Sequence, residues 1–289
     1  MKNRTASIQS KLRSIAQNEG ETYQLILVRY FVERLIYRIS VSDYKRNFCL
    51  KGGSLLYAIE QEKSRPTMDV DFLGIHLSNE HAQLKAIFRK ISQIEYPNDA
   101  VELMADSISA SVINKEGAYA GVRIKLEGRL GTIRQLLQID IGFGDIVTPS
   151  PIEMDYPTLL AMDSPHILAY STESIIAEKF EAMIDLANQN SRMKDFYDVY
   201  RLLHKGNYQP SILSEAVFAT FQKRATAFTE AHTLFSEDFA LNEKRQQQWK
   251  AFLMQLDRQG ALAASVALPD ALALIKDKLY PIYAQLTLK

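Results

Sequence analysis

Apolar residues in the first hundred positions follow helix spacing in some segments and strand spacing in others. Between residues 23 and 39 they recur every three or four positions, as at Leu25, Val28 and Leu35, which predicts an amphipathic helix. A first short amphipathic segment around Leu12 and Ile15 precedes it. Further along, helix spacing of the apolar residues predicts helices at 54–62 and 80–94. Residues 48–50 are predicted as a short entry to a turn, and residues 68–73 as a strand.

After Pro97 the pattern changes to an alternation of apolar and polar residues, which is typical of half-buried strands. The alternating segments lie at 101–104, 108–113, 121–126 and 136–143. Prolines between positions 149 and 165 indicate a loop-rich connection, and from about residue 171 the spacing is helical. We therefore predict an α+β fold with two lobes. Residues 1–160 would form a mixed, mostly antiparallel sheet flanked by helices, and residues 161–289 an α-helical lobe.

The composition is that of an ordinary globular protein. Of the 289 residues, 47% are hydrophobic and 24% are charged, so the chain can bury a full core. Lys plus Arg and Asp plus Glu both number 34, which excludes the strong basic field of a protein that coats nucleic acid and leaves a local basic patch open. We expect no membrane span and no secretory signal. Since Cys49 is the single cysteine, an internal disulfide is excluded and the expected location is a reducing cytoplasm.

Two short motifs carry the candidate chemistry. Lys51-Gly52-Gly53-Ser54 places a glycine pair before a serine, a turn that lets backbone amides approach a phosphate closely. Asp69-Val70-Asp71 lies in an apolar run that predicts a strand, so both carboxylates share one face. A phosphate-binding turn and a carboxylate pair suit Mg²⁺ or Mn²⁺, because Mg²⁺ is bound through one or two carboxylates plus substrate phosphates. The combination indicates nucleotidyl transfer.

Asp140 is a candidate third metal ligand. It lies on the polar face of a predicted apolar strand, between Ile139 and Ile141. The alternative is a solvent-facing aspartate on an edge strand; beside the glycine turn and the aspartate pair, we favour the ligand. Asp145 is a competitor that we expect in the turn after the strand. Clustered carboxylates are the usual way to hold two metal ions about 4 Å apart for such a reaction.

The helical lobe contributes two further candidates. Lys179 falls within the apolar arc of a predicted helix at 172–187, where an ammonium needs an anionic partner or a route to water. A triphosphate would be such a partner; the alternative is that the side chain extends along the surface to solvent. Asp195 borders an apolar stripe, whereas Asp198 is expected on the polar side. Asp195 would orient Lys179, act as a base on the attacking hydroxyl, or be an acid favoured at a helix N-terminus.

Taken in order, these motifs resemble the AbiEii/AbiGii toxin family of nucleotidyltransferases, which has a DNA polymerase beta-like fold. The resemblance begins with Phe48-Cys49-Leu50-Lys51-Gly52-Gly53-Ser54 and Arg65-Pro66-Thr67-Met68-Asp69-Val70-Asp71-Phe72. It continues with Gln138-Ile139-Asp140-Ile141-Gly142-Phe143-Gly144-Asp145, Glu178-Lys179 and Lys194-Asp195-Phe196-Tyr197-Asp198. The similar region covers about residues 45–205.

The resemblance implies a bacterial toxin, encoded beside a cognate antitoxin, that uses an NTP and Mg²⁺. Some relatives add nucleotides to tRNA 3′ ends. The residues that would carry these roles are Gly53 and Ser54 for the phosphates, Asp69 and Asp71 for the metal, Lys179 for the triphosphate and Asp195 as catalytic acid. Asp140 corresponds less closely, because the family's third acid varies in spacing. Arg65 stands where relatives often have a basic residue, with a phosphate contact and a plain loop cation as alternatives.

The predicted function is therefore transfer of NMP from an NTP to an acceptor hydroxyl, with the nucleotide and Mg²⁺ between the two lobes. The expected acceptor is the 3′ end of an RNA, tRNA first, and the setting is a toxin–antitoxin or phage-defence pair. One alternative is transfer to a small molecule or a protein, which the near-zero net charge favours. The other is a member that only binds a nucleotide or a partner protein.

Overall fold

The computed structural model describes residues 2–60, 65–113, 121–259, 262 and 265–288. Its α-helices are α1 (Lys2–Glu19), α2 (Tyr23–Ser40), α3 (Gly52–Glu60), α4 (His81–Ser92), α5 (Thr172–Leu186), α6 (Met193–Lys205), α7 (Pro210–Arg224), α8 (Glu237–Leu241), α9 (Glu243–Arg258) and α10 (Leu268–Ala284). The predicted helices at 23–39 and 80–94 are confirmed as α2 and α4. The predicted first segment is longer than expected, with 18 residues in α1. Helix α3 begins two residues before the predicted start, and positions 61–62 lie outside the described residues.

The strands of the described chain form one seven-stranded sheet. They are β1 (Phe48–Lys51), β2 (Asp69–Gly74), β3 (Glu102–Ile113), β4 (Gly121–Leu130), β5 (Ile133–Phe143), β6 (Ile152–Asp155) and β7 (His166–Ala169). The spatial order is β3-β4-β5-β2-β1-β7-β6. Neighbours pair antiparallel except β2 with β5 and β1 with β7, which are parallel. The predicted α+β class, with a mixed and mostly antiparallel sheet, is confirmed.

Two details of the sheet differ from the predicted pattern. The segments expected at 101–104 and 108–113 belong to the single strand β3, whose register against β4 shifts between Met104 and Ser109. That irregularity occupies the interval in which the alternation is lost. Strands β6 and β7 lie where a loop-rich connection was expected, because strands of four residues among prolines are too short to show a period.

The chain divides into two compact units. One consists mainly of Met1–Gly144 and Ile152–Ala169 and contains the sheet with helices α1–α4. The other consists mainly of Asp145–Pro151, Tyr170–Arg258 and Leu262–Lys289 and contains helices α5–α10. Within the described part of the chain no strand follows Ala169, as the helical spacing predicts. No described helix has both the length and the apolar character needed to cross a membrane.

Helix α2 is buried along most of its length, charged residues included. The buried charged residues are Arg29, Glu33, Arg34 and Arg38. Arg38 donates to both carboxylate oxygens of Asp99, at 2.7 and 3.3 Å. Glu33 accepts a hydrogen bond from the backbone N–H of Leu159 at 2.6 Å and lies 2.7 Å from the guanidinium of Arg34. Burial raises the pKa of Glu33 to about 7, against the opposing effect of Arg34. The ion pair of Arg38 with Asp99 and the hydrogen bond from Leu159 to Glu33 therefore join this helix to the segments packed on it.

Candidate active site

The aspartate pair lies on one face of strand β2, as its spacing predicts. Val70 and Phe72 are fully buried in the sheet core, whereas Asp69 and Asp71 are half-buried on the opposite face. The alternation follows from the two-residue period of a strand. Both carboxylates therefore reach the same surface of the sheet.

The glycine turn packs directly against these carboxylates. Gly52, the first residue of α3, has a φ of +68°, a left-handed conformation that favours glycine. A Cβ added at Gly52 would lie 2.0 Å from Oδ2 of Asp71, and one added at Gly53 would lie 2.6 Å from Oγ1 of Thr67. Strand β1 pairs with β2, with Lys51 opposite Asp71, which sets this approach. The glycine pair is thus required for the close approach of backbone to carboxylate.

Ser54 and Thr67 connect the turn to the aspartate pair. Ser54 is buried and donates its hydroxyl to the backbone carbonyl of Asp69 at 2.9 Å. Thr67 donates to Oδ1 of Asp69 at 2.6 Å, which orients that carboxylate. Gly52, Gly53 and Ser54 form the first turn of α3, and the first N–H groups of a helix have no acceptor within it. The arrangement places a helix end of the kind that suits anions beside two carboxylates.

Arg65 lies close to this turn. It lines a small cavity together with Ser54, Thr67, Tyr57 and Arg29. The guanidinium of Arg29 stacks over the ring of Tyr57, 4.6 Å from its centre. The structure therefore brings Arg65 to the predicted phosphate-binding residue Ser54; its contact with a phosphate stays a prediction.

Asp140 is the register neighbour of Asp71, because β5 pairs with β2 in parallel. Its side chain is buried, and both of its carboxylate oxygens accept hydrogen bonds from Arg123 of β4, each at 2.8 Å. It is neither the solvent-facing aspartate of an edge strand nor a carboxylate without a cation. Its predicted place beside the pair is seen, and its role as a ligand stays a prediction.

The donor set fits a divalent cation at the aspartate pair. Two carboxylates on one strand face, beside a helix N-terminus suited to phosphates, are the partial ligand set that Mg²⁺ completes with substrate oxygens and water. Among the described residues no group of three or more His, Cys, Asp or Glu side chains is arranged to hold a metal ion. The residues that would hold the metal are Asp69 and Asp71, with a nucleotide supplying further oxygens.

Lys179 and Asp195 meet within the helical unit. Nζ of Lys179 donates to Oδ1 of Asp195 at 2.6 Å and lies 2.9 Å from Oδ2 of Asp198. Burial opposes ionisation of Asp195, but Lys179 and Arg192 outweigh it and hold the pKa of Asp195 below its ordinary value. The expectation that Asp198 lies on the polar side of its helix was wrong, because it is 4% exposed. The ammonium of Lys179 thus has two buried carboxylate partners in its own unit.

Asp145 lies after strand β5, as expected, but in an ion-pair cluster of the helical unit. Arg224 of α7 contacts Asp145 at 3.0 Å, Glu178 at 3.1 Å and Glu181 at 2.6 Å. Burial disfavours the charge of Arg224, yet the three carboxylates outweigh it and raise its pKa. Asp145 is therefore part of an ion-pair cluster within the helical unit.

Three residues at these sites were not singled out from the sequence: Thr67, Arg123 and Asp198. Thr67 lies in the motif just before the acid pair, and a hydroxyl two residues before Asp69 is the feature of the sequence that could have indicated its contact with that carboxylate. Arg123 could not be found from local sequence, since its contact with Asp140 depends on strand register. Asp198 lies three residues after Asp195, and that helical spacing puts the two on neighbouring positions of one face.

Comparisons with known proteins identify the family of the chain and support its fold. Residues 34–273 match the family described as nucleotidyl transferase AbiEii toxin, type IV toxin–antitoxin system. A solved structure of a candidate nucleotidyltransferase from H. pylori has 14% identity and a TM-score of 0.50, over 93% of this chain and 99% of that chain. JHP933 from Helicobacter pylori has 14% identity and a TM-score of 0.47, over 92% of this chain and 95% of that chain.

No curated protein matches the chain. The likeness to the first of the two solved structures supports the fold, and the family match extends from within α2 to within α10. A nucleotide substrate and an antitoxin partner follow from the family. This chain belongs to the AbiEii family of nucleotidyl transferase toxins of type IV toxin–antitoxin systems.

Proposed function

We propose that this protein transfers NMP from an NTP to a hydroxyl of an RNA, with the 3′ end of tRNA as the first candidate acceptor, and that it uses Mg²⁺ or Mn²⁺. The observation that carries the proposal is the contact between the first residue of α3 and Asp71. There the helix end suited to phosphates touches the carboxylate face of β2.

The chain's own residues account for binding and orientation. The first N–H groups of α3, at Gly53 and Ser54, bind oxygens of the triphosphate, with Arg65 as a further cation nearby. Asp69 and Asp71 hold the metal, and Thr67 fixes the Asp69 carboxylate for that purpose. When bound, the metal neutralises charge that develops on the transferring phosphate and the leaving pyrophosphate. The acceptor hydroxyl attacks the α-phosphate, and the bond to pyrophosphate breaks.

Lys179 and Asp195 are proposed as further contributors from the helical unit. The family resemblance assigns Lys179 to the triphosphate and Asp195 to an acid role. Their direct ion pair supports a joint function, because Asp195 orients the ammonium that would meet the anion. Asp198 holds the same ammonium and belongs to the same proposal.

The biological setting is proposed from the family. Members are toxins of type IV toxin–antitoxin systems, so a cognate antitoxin would control this activity and release would block growth. Modification of tRNA would stop translation, and a role in phage defence would follow if infection triggers that release.

The test is transfer of label from each α-³²P NTP, with Mg²⁺, to total bacterial tRNA. Asp69→Asn should lower transfer by at least about 10²-fold, because it removes one metal-holding charge. Asp106→Asn is the matched control, since Asp106 is an exposed aspartate of β3 in the same sheet, and it should behave as wild type.

Three outcomes would contradict the proposal. Full transfer by the Asp69→Asn protein would remove the metal assignment. Absence of label on RNA, with label on a small molecule or protein instead, would replace the RNA acceptor by the alternative that the balanced charge favours. Tight NTP binding with no pyrophosphate release over all acceptors would indicate a binding role.

A further inference from the structure

Four charged residues form a row across the strands that carry the aspartate pair. Arg123 of β4 is the register partner of Asp140, Asp140 of Asp71, and Asp71 of Lys51 in β1. Register partners on neighbouring strands point to the same face of a sheet. Along the row the charges are positive, negative, negative, positive. The two flanking cations therefore offset the repulsion between the adjacent carboxylates.

Arg123 contacts Asp140 side-on. Its Nε lies 2.8 Å from Oδ1 and its Nη2 lies 2.8 Å from Oδ2, so both carboxylate oxygens have charge-assisted hydrogen bonds. The side chain of Asp140 is 7% exposed and that of Arg123 is 33% exposed. Side-on pairing leaves Nη1 of Arg123, with two N–H groups, outside the pair. Arg123 is thus fixed at one edge and partly open to solvent on the carboxylate face.

The bidentate contact with Arg123 separates Asp140 from the aspartate pair as a candidate metal ligand. For Asp140 to join a metal, Arg123 would have to release a bidentate pair, which is among the strongest hydrogen-bonded contacts.

We propose that Asp140 is a positioning residue rather than a metal ligand: it holds Arg123 so that Nη1 binds a phosphate oxygen of the substrate, while Asp69 and Asp71 hold the metal. The inference rests on the proposed function. A guanidinium held by a carboxylate is already ordered, so binding a phosphate costs it less side-chain entropy than a free arginine would lose. The phosphate belongs to the NTP or to the acceptor RNA, and the experiment distinguishes the two.

The first measurement is the binding of Mn²⁺ alone, followed by electron paramagnetic resonance. The double variant Arg123→Gln/Asp140→Asn removes both charges of the pair, so the formal charge near the metal is unchanged. Its Mn²⁺ affinity should stay within about twofold of wild type, whereas Asp69→Asn should lower the affinity by at least about 10-fold.

The two proposals fail in different ways in this measurement. A loss of Mn²⁺ affinity in the double variant as large as that in Asp69→Asn would make Asp140 a ligand and overturn the inference. Unchanged Mn²⁺ affinity in Asp69→Asn would overturn the metal site of the proposed function instead.

The second measurement is the binding of two phosphate ligands, a non-hydrolysable NTP analogue and a short RNA, each without the other. Arg123→Gln should weaken one of them by about 10-fold, corresponding to about 1.4 kcal/mol, and that ligand identifies the source of the phosphate. Asp140→Asn keeps the charge of the Arg123 guanidinium but removes the carboxylate that fixes it, so it should weaken binding of the same ligand. Arg123→Lys should not restore binding, because an ammonium cannot pair side-on with a carboxylate.

Two results would refute the role of the pair in phosphate binding. One is wild-type affinity of Arg123→Gln for both ligands, and the other is wild-type affinity of Asp140→Asn where Arg123→Gln is weakened. Because Arg123 is one-third exposed, Arg123→Gln is compatible with the fold, and circular dichroism with thermal unfolding verifies this for each variant.

Discussion

The substitution Gly52→Ala tests whether the position of the Asp71 carboxylate depends on the glycine turn. The new Cβ would lie 2.0 Å from Oδ2 of Asp71, whereas real Cβ contacts are essentially never under 3.0 Å, so the carboxylate or the turn must move by about 1 Å. A displacement of about 1 Å of a reacting group costs on the order of 10²-fold in rate. In addition, a left-handed conformation without glycine costs about 1–2 kcal/mol of stability.

Gly20→Ala separates the two effects. Gly20 has the same φ of +68°, and a Cβ there meets nothing within 4 Å. Both variants should therefore lose about 1–2 kcal/mol in urea unfolding, but only Gly52→Ala should lose about 10²-fold in nucleotidyl transfer and bind Mn²⁺ more weakly. If Gly52→Ala and Gly20→Ala had the same activity and the same Mn²⁺ affinity, the close approach of the turn to Asp71 would have no part in the site.

Three further predictions concern buried groups. Burial raises the pKa of Glu33 from 4.5 to about 7, so the protonated side chain stabilises the fold fully below pH 4.5 and this stabilisation is lost as the pH rises through about 7. At about 1.4 kcal/mol per pKa unit, the loss is on the order of 3 kcal/mol. Glu33→Gln should flatten the urea stability measured from pH 5 to 8, and an unchanged slope would show that Glu33 ionises normally. Lys179→Met should destabilise the protein by about 3–5 kcal/mol in thermal and urea unfolding, because it leaves Asp195 and Asp198 buried without their shared cation. The double variant Lys179→Met/Asp195→Asn should regain part of that loss, and a Lys179→Met protein as stable as wild type would contradict the prediction. Ser54→Ala should lower the free energy of unfolding by about 1 kcal/mol, because the hydrogen bond to a backbone carbonyl of β2 is lost. Its transfer activity should fall far less than that of variants of the aspartate pair, and an equally large loss of activity would make the hydroxyl itself part of the chemistry.

The sequence predicts those parts of the fold and site that depend on local spacing. Asp69 and Asp71 share a face because strands have a period of two residues, and the α2 and α4 helices follow from apolar spacing. Strands β6 and β7 escape prediction because four residues among prolines carry no period. The charged residues of α2 can be buried because distant partners satisfy them, such as Asp99, which is 61 residues from Arg38 along the chain. Local spacing does not reveal such partners.

The candidate site divides in the same way. The Gly-Gly-Ser turn and the acid pair are local motifs, so sequence finds them. The contact of Arg123 with Asp140, 17 residues apart, depends on the register of the β4–β5 hairpin. The side-by-side position of Asp140 and Asp71 depends on a parallel pairing of β2 with β5. Amphipathic projection also misplaced Asp198, because a buried carboxylate beside Lys179 is as well satisfied as an exposed one.

The parallel pairing of β1 with β7 affects how the sheet folds during synthesis and where the chain can be truncated. Strand β1 is fully buried and lies between β2 and β7, so a fragment that ends at residue 144, or at 160, leaves one edge of β1 without its neighbour. An apolar strand edge of this kind pairs readily with other chains. During synthesis the same edge stays open until Ala169 has left the ribosome. Aggregation of nascent or truncated chains should therefore be governed by the late strand β7, and the shortest fragment that keeps the sheet complete ends after Ala169.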